Sequence, residues 1–438
     1  MLQGATGSAV AGINPRSAAL YHRGQAIFPD GVTRSTIEKD PEPIYVVSGQ
    51  GAYVTDVDGR RYLDLNNNFT TLLHGHAFEP VVEAVTRLIR SGTCFANPTE
   101  HEIALAELLV SRIPAVETIR FVNTGTEAVM FAIKAARAYT GRTAIARFEG
   151  AYHGAYDWAE AGRERSPAAD CAIPGSVSSD IVTLQFNDAE GVEASLTKNA
   201  NRLAAIIVDP MPSRGGLLKP KRGFLQRLTE VARRHGILII ADEVLNLRQG
   251  YCGASERYGL EPDLLTAGKI IGGGFPIGAV GGRAEVMSVF GSTNAQRRVL
   301  QGGTFSANPV SMRAGLIAME AATPECFDEL EKKGNRLRQM LVAIAALNDA
   351  PFSISGAASL FRIHAGREAP ATYAETIPSG EGKKGLLELT RHFRQEGILL
   401  PFGAAACIST AMTYDDLETI AQAFEAFVTD HSMEERQQ

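Results

Sequence analysis

The chain has 438 residues, 45% of them hydrophobic, and a net charge of −6; that is enough apolar content for a large core in more than one lobe, and no basic surplus for a nucleic-acid surface. Its five cysteines (Cys94, Cys171, Cys252, Cys326, Cys407) are scattered and free of CxxC spacing, which argues against a disulfide framework or a cysteine zinc site. No window has the apolar length of a membrane span, and the N-terminus lacks a basic start followed by a long apolar stretch, so a cytoplasmic protein is expected.

Residues 1–12 are small and polar and are expected to lack ordered structure. Asn14-Pro15 reads as an N-cap followed by proline at the first helical position. Arg34 is the one cation of a loop, Gly31 to Ser35. Ile44 to Val47 and Ala52 to Val57 alternate as strands, and Asp58-Gly59 signals a hairpin into Arg61 to Asp64. From Glu79 the texture changes to helices alternating with buried strands at Thr118 to Val122, Thr143 to Phe148, Ile181 to Leu184, Leu203 to Asp209 and Gly236 to Ala241. Lys269 follows what reads as an apolar turn, and Val280 to Arg283 offers one more strand. The pattern predicts a mostly parallel α/β sheet with helices on both faces. Beyond Ser306 come helices at Pro309 to Ala322, Glu329 to Leu347 and Tyr414 to Thr429, with short strands near Ser353, Leu360 to His364 and Ala406 to Ser409. Residues 76–305 are thus expected to form a large α/β domain, and 1–75 with 306–438 a smaller α+β domain.

Four stretches carry chemistry. Asn123-Thr124-Gly125-Thr126-Glu127 joins a strand to a long helix; its amides and the Thr126 hydroxyl suit a phosphate, although Thr124 or Thr126 could equally be an ordinary cap. Tyr152 at a strand's carboxyl end could stack on a planar ring or simply pack, and His153 could bond within a turn. Asp242 ends an apolar strand, where an unpaired carboxylate is expensive and a cationic heterocycle would satisfy it. Val244 lies on the same face. Lys269 precedes Gly272-Gly273-Gly274, which would let backbone approach a cofactor closely, and burial would favour its neutral, nucleophilic amine. Together they suggest a lysine that condenses with pyridoxal phosphate and an aspartate that holds the ring nitrogen. A metal site is disfavoured: His74 and His76 have no partner at ligand spacing. There is no serine-hydrolase elbow and no P-loop.

The ordered set NTGTEA (123–128), GAYHG (150–154), ADEV (241–244), AGKIIGGGFPIGAVGG (267–282) and GGTFSANP (302–309) resembles the class III aminotransferases, pyridoxal-phosphate enzymes of fold type I. PDGVTRS (29–35) and GTFSANP resemble the branch holding glutamate-1-semialdehyde aminomutase, D-phenylglycine aminotransferase and β-phenylalanine aminotransferase. The resemblance implies a homodimer with shared active sites. It makes Lys269 the Schiff-base lysine and proton shuttle, Asp242 the ring-nitrogen partner, and Tyr152 and Val244 the stacking faces. Gly125 and Thr126 would hold the phosphate, His153 would belong to the same cofactor site, and Thr304 would reach the neighbouring subunit's phosphate. Arg34 would bind the substrate carboxylate. The segment Asn66 to Phe69 departs from the family pattern, and its Asn68 and Phe69 are expected to line the pocket. Arg248, in DEVLNLR, is left without a role. The β-phenylalanine enzymes' second substrate arginine has no counterpart in Leu400-Pro401-Phe402-Gly403. The expected activity is transamination of a carboxylated β- or aromatic amino acid with a keto acid; the alternatives are an aminomutase, a racemase or a cofactor-binding regulator without turnover.

Overall fold

A computed structural model describes residues 14–163, 172–292 and 298–437. The 1–12 stretch expected to be unordered, and Cys171, lie outside the described residues. Near the N-terminus β1 (Val46–Gln50), β2 (Tyr53–Asp56) and β3 (Arg61–Asp64) form an antiparallel meander. The expected hairpin joins β2 to β3, with Gly59 at a φ of 88°. Asn14 does not cap the first helix with its side chain. Its amide reaches the Tyr62 hydroxyl instead, at 3.3 Å, tying the helix Pro15–Gln25 to β3.

The central sheet contains β4 (Thr118–Val122), β5 (Ala144–Phe148), β6 (Ile181–Leu184), β7 (Leu203–Val208), β8 (Leu238–Asp242), β9 (Leu264–Gly268) and β10 (Gly278–Gly282), in the order β4-β10-β9-β8-β7-β5-β6. Only β10 runs against its neighbours. Strand β9 corrects the sequence reading, which took the approach to Lys269 as a turn. Its short Leu-Leu-Thr-Ala-Gly run has weak strand propensity, and pairing on both sides to β8 and β10 settles its conformation.

Successive residues point to opposite faces, so one strand feeds two cores. Ala205, Ile207 and Ile240 pack with the helix Gly125–Thr140 on one side. Ile206, Val208, Ile239 and Ala241 pack on the other with the amphipathic helix Phe224–Arg234. Strands buried on both faces read as the unbroken apolar runs seen in the sequence.

A third core joins the chain's ends. It gathers Leu63 and Leu65 with the C-terminal helices Pro324–Leu347, Gly380–Gln395 and Tyr414–Gln437. There β11 (Phe352–Ser355), β12 (Leu360–Ala365) and β14 (Ala406–Cys407) make a small sheet, and β13 (Ile398–Leu399) pairs in parallel with β3. The 24-residue helix from Pro324 starts five residues before the expected Glu329, because Thr323 caps it through the Cys326 amide. Among the described residues, no helix is long and apolar enough to cross a membrane.

Candidate active site

In an open α/β sheet the loops at the strands' carboxyl ends converge on a crevice. Here the ends of β4, β5, β7, β8 and β9 surround a cavity of about 430 Å³. Asp242 is the last residue of β8, and Thr266 is its register partner on β9. The Thr266 hydroxyl donates to Asp242 Oδ1 at 3.0 Å, the Val244 amide donates to the same oxygen at 3.1 Å, and His153 Nδ1 lies 2.7 Å from Oδ2. A carboxylate oxygen accepts about two hydrogen bonds, so Oδ2 keeps one lone pair. Burial pushes the His153 pKa down, outweighing the pull of Asp242. The ring is therefore neutral and donates from Nδ1, which leaves its buried Nε2 without a partner among the described residues.

Lys269 follows β9 directly, at a φ of 48°. Burial is the main cause that lowers its pKa, with the charges of Arg214 and Arg248 acting the same way against Asp242 and Asp209. The three glycines behind it do not line the cavity as expected. A Cβ at Gly273 would stand 2.4 Å from the Ala314 carbonyl oxygen, and one at Gly272 2.6 Å from Ile277 Cγ2. Gly273 lets this loop pack on the helix Pro309–Ala321, while Phe275, Pro276 and Ile277 face the cavity.

At the helix start the capping question resolves. Thr124 Oγ1, at the N-cap, accepts from the Glu127 amide at 3.1 Å, and the Glu127 carboxylate accepts from the Asn123 amide, one residue before the cap, at 2.7 Å. The Thr126 hydroxyl takes no part, and Gly125 and Thr126, whose amides lie before any intrahelical partner, line the cavity. A Cβ at Gly125 would meet Val244 at 2.6 Å, and one at Gly154 the Thr126 hydroxyl at 2.6 Å. A lysine, a carboxylate with a spare acceptor and a helix N-terminus thus share one cavity. That donor set fits a ring bearing an aldehyde, a basic nitrogen and a phosphate.

Tyr152 and Val244 both line the space, and Tyr152 is half exposed. Thr304, expected at a neighbouring subunit's phosphate, lies exposed outside this chain's own cavity, with Cys94 Sγ 4.0 Å from its carbonyl oxygen. Arg34 and Phe69 border both this cavity and a larger neighbour of about 660 Å³, which Asn68 also lines. The Arg34 guanidinium sits 5.5 Å from the Phe69 ring centre and 3.5 Å from Asn68 Oδ1. Leu400, Pro401 and Phe402 give the larger space apolar walls.

Asn67, Asn68, Phe69 and Thr70 form one left-handed turn, with φ of 47°, 51°, 55° and 71°. Non-glycine residues pay about 1–2 kcal/mol each for that conformation. Arg248 helps to hold it. Fully buried, it donates to the Thr70 carbonyl at 2.6 Å, the Ile408 carbonyl at 2.8 Å and Ser359 Oγ at 3.0 Å. Asp64 adds bonds to the amides of Asn66 and Asn67 at 2.8 and 3.1 Å, and is itself held by His76 Nε2 at 2.8 Å.

Sequence reasoning missed two charged cavity residues, Asp209 and Arg214. Asp209 follows β7 as Asp242 ends β8; burial and the Asp242 charge push its pKa up to about 8. It accepts from the Met211 amide at 3.0 Å and from Asn246. The apolar strand ahead of Asp209 was a usable signal. Arg214, in the loop that Asp209 braces, had none.

A family model described as aminotransferase class-III matches residues 35–429. A glutamate-1-semialdehyde 2,1-aminomutase of Methanothermobacter thermautotrophicus is 36% identical, covering 94% of this chain and 98% of its own. An omega-transaminase from Sphaerobacter thermophilus is 44% identical with a TM-score of 0.91, over 94% of this chain and 97% of that one. A β-phenylalanine aminotransferase from Variovorax paradoxus is 30% identical with a TM-score of 0.89, over 96% and 95%.

Proposed function

The chain belongs to the class-III aminotransferase family, and we propose that it is a pyridoxal-phosphate enzyme that moves an amino group from a carboxylated amino acid, β- or aromatic, to a keto acid. The observation that carries this reading is the meeting of Lys269, Asp242 and the Gly125–Thr126 helix start in one cavity. Pyridoxal phosphate supplies an aldehyde for a lysine and a ring that draws electrons from the substrate carbon. In this reading Asp242 Oδ2 accepts from the ring nitrogen, and its bonds from Thr266 and His153 fix the carboxylate plane. Gly125 and Thr126 hold the phosphate, and Tyr152 and Val244 flank the ring. Burial lowers the Lys269 pKa, which favours the neutral amine, and Lys269 carries a proton to and from the substrate carbon. Arg34 takes the substrate carboxylate through its planar fork, and the apolar neighbouring space receives the side chain.

A second copy belongs to the same reading. Phe95, Leu300 and Phe305 are exposed apolar side chains close to Cys94 and Thr304 in the chain, which suits a partner subunit here. The division near residues 75 and 305 and a cytoplasmic location complete it. An aminomutase, in which one molecule both gives and receives the amino group, is favoured by the names of relatives such as the 36% identical aminomutase.

The test is to load the purified protein with cofactor and add single α- and β-amino acids. Release of a keto product, and return of the amino group to an added keto acid, is the expected result. Isomerisation of glutamate 1-semialdehyde with no release from any single donor would replace this reading with the mutase.

A further inference from the structure

Five acids line the two joined cavities, and each is engaged elsewhere. Asp40 pairs with Arg391 at 2.8 Å, Asp64 with His76 at 2.8 Å, and Glu38 accepts the amides of Lys39 and Asp40 at 2.9 and 3.0 Å. Asp242 is tied to His153 and Thr266, and Asp209 to its own loop. Two guanidinium groups border both cavities, Arg34 and Arg214. Among the described residues neither makes an ion pair; Arg34 reaches only an amide oxygen and a ring face.

Arg214 is presented by a stiff loop. Asp209 takes the Met211 amide, the Leu217 amide bonds back to the Pro212 carbonyl at 2.9 Å, and Arg362 donates to the Ser213 carbonyl at 3.3 Å. Ser355 Oγ fixes the Gly216 carbonyl at 3.1 Å. Between these anchors the Arg214 side chain stands exposed at the cavity wall, near enough for its charge to act on Lys269. Two cations beside a lysine, with every nearby acid already committed, call for an anion from outside.

We propose that Arg34 and Arg214 together take a dianion, one carboxylate on each guanidinium, so that the keto acid of the reaction is a dicarboxylic acid. This assignment rests on the aminotransferase reading above. An amino acid with one carboxylate and an apolar side chain uses Arg34 and the apolar space; the dicarboxylic partner uses both arginines and leaves that space empty.

Calorimetric titration of the cofactor-loaded protein with glutarate and valerate, five-carbon acids with two carboxylates and one, tests this without turnover. Wild type is expected to bind glutarate about ten- to a hundredfold tighter, the worth of one added charge-assisted pair. Arg214→Gln should bind both acids as wild type binds valerate, which also shows its cavity intact, and Arg214→Lys should recover part of the gap. No gap in wild type, a gap that survives in Arg214→Gln, or equal weakening of both acids overturns the proposal. A gap that Arg214→Gln abolishes, in a protein that transaminates nothing, leaves the anion site standing and overturns the aminotransfer reading instead.

Discussion

At the carboxyl end of the central sheet, Asp242 and Thr266 meet as register partners on adjacent strands, in ordinary extended geometry. Across the cavity, Asn67 to Thr70 hold four successive positive φ angles, and a buried arginine and an aspartate grip the turn. The floor needs only strand pairing to place its acid. The wall stores strain that must be offset from three distant segments. Strain of this kind persists where surrounding bonds over-determine it, and it sets side chains where relaxed backbone would not. Here it sets Asn68 and Phe69 against Arg34, so the part of the pocket proposed to meet substrate is the strained part.

The comparison breaks most sharply at the floor. Lys269→Ala should keep the fold and lower single-turnover transamination by about a hundred- to ten-thousandfold or more, since the group moves the proton; a variant within tenfold of wild type contradicts the floor's role. At the wall, Arg248→Met should lose about 3–5 kcal/mol in urea unfolding, because three buried acceptors lose their donor together. A loss under about 1 kcal/mol would mean that the turn stands without it. Arg34→Gln should raise KM for the amino acid about tenfold or more at similar kcat, the signature of lost uniform binding. An equal fall in kcat and kcat/KM would put Arg34 in the chemical step. The smallest effect has the opposite sign. Thr70→Gly should gain about 1 kcal/mol of stability by releasing a β-branched residue at a φ of 71° and an unpartnered buried hydroxyl, while KM rises. A destabilised Thr70→Gly protein with unchanged KM would show that the turn is relaxed.

The floor was legible because strand and site share one signal: an apolar run that ends in Asp242, then Lys269 a short way along the chain. Even there, β9 itself was hidden by its weak strand propensity, and Gly273 serves packing against Ala314 in place of a cofactor. The wall could not be read. Arg248 stood in a recognisable motif, yet its partners lie 111 to 178 residues away, and no local pattern announces them. Asparagine tolerates the left-handed region, but no local pattern says that Asn67 and Asn68 would adopt it and that Phe69 and Thr70 would follow them. Arg214 looked like any loop cation until the acids around it proved committed.

The central claim is that Lys269 is the residue that holds pyridoxal phosphate. Loading the purified chain with cofactor, reducing it with borohydride and mapping the labelled peptide by mass spectrometry tests it directly. The account predicts a single cofactor adduct on Lys269. An adduct on another lysine, or none in a protein that remains folded, would contradict it.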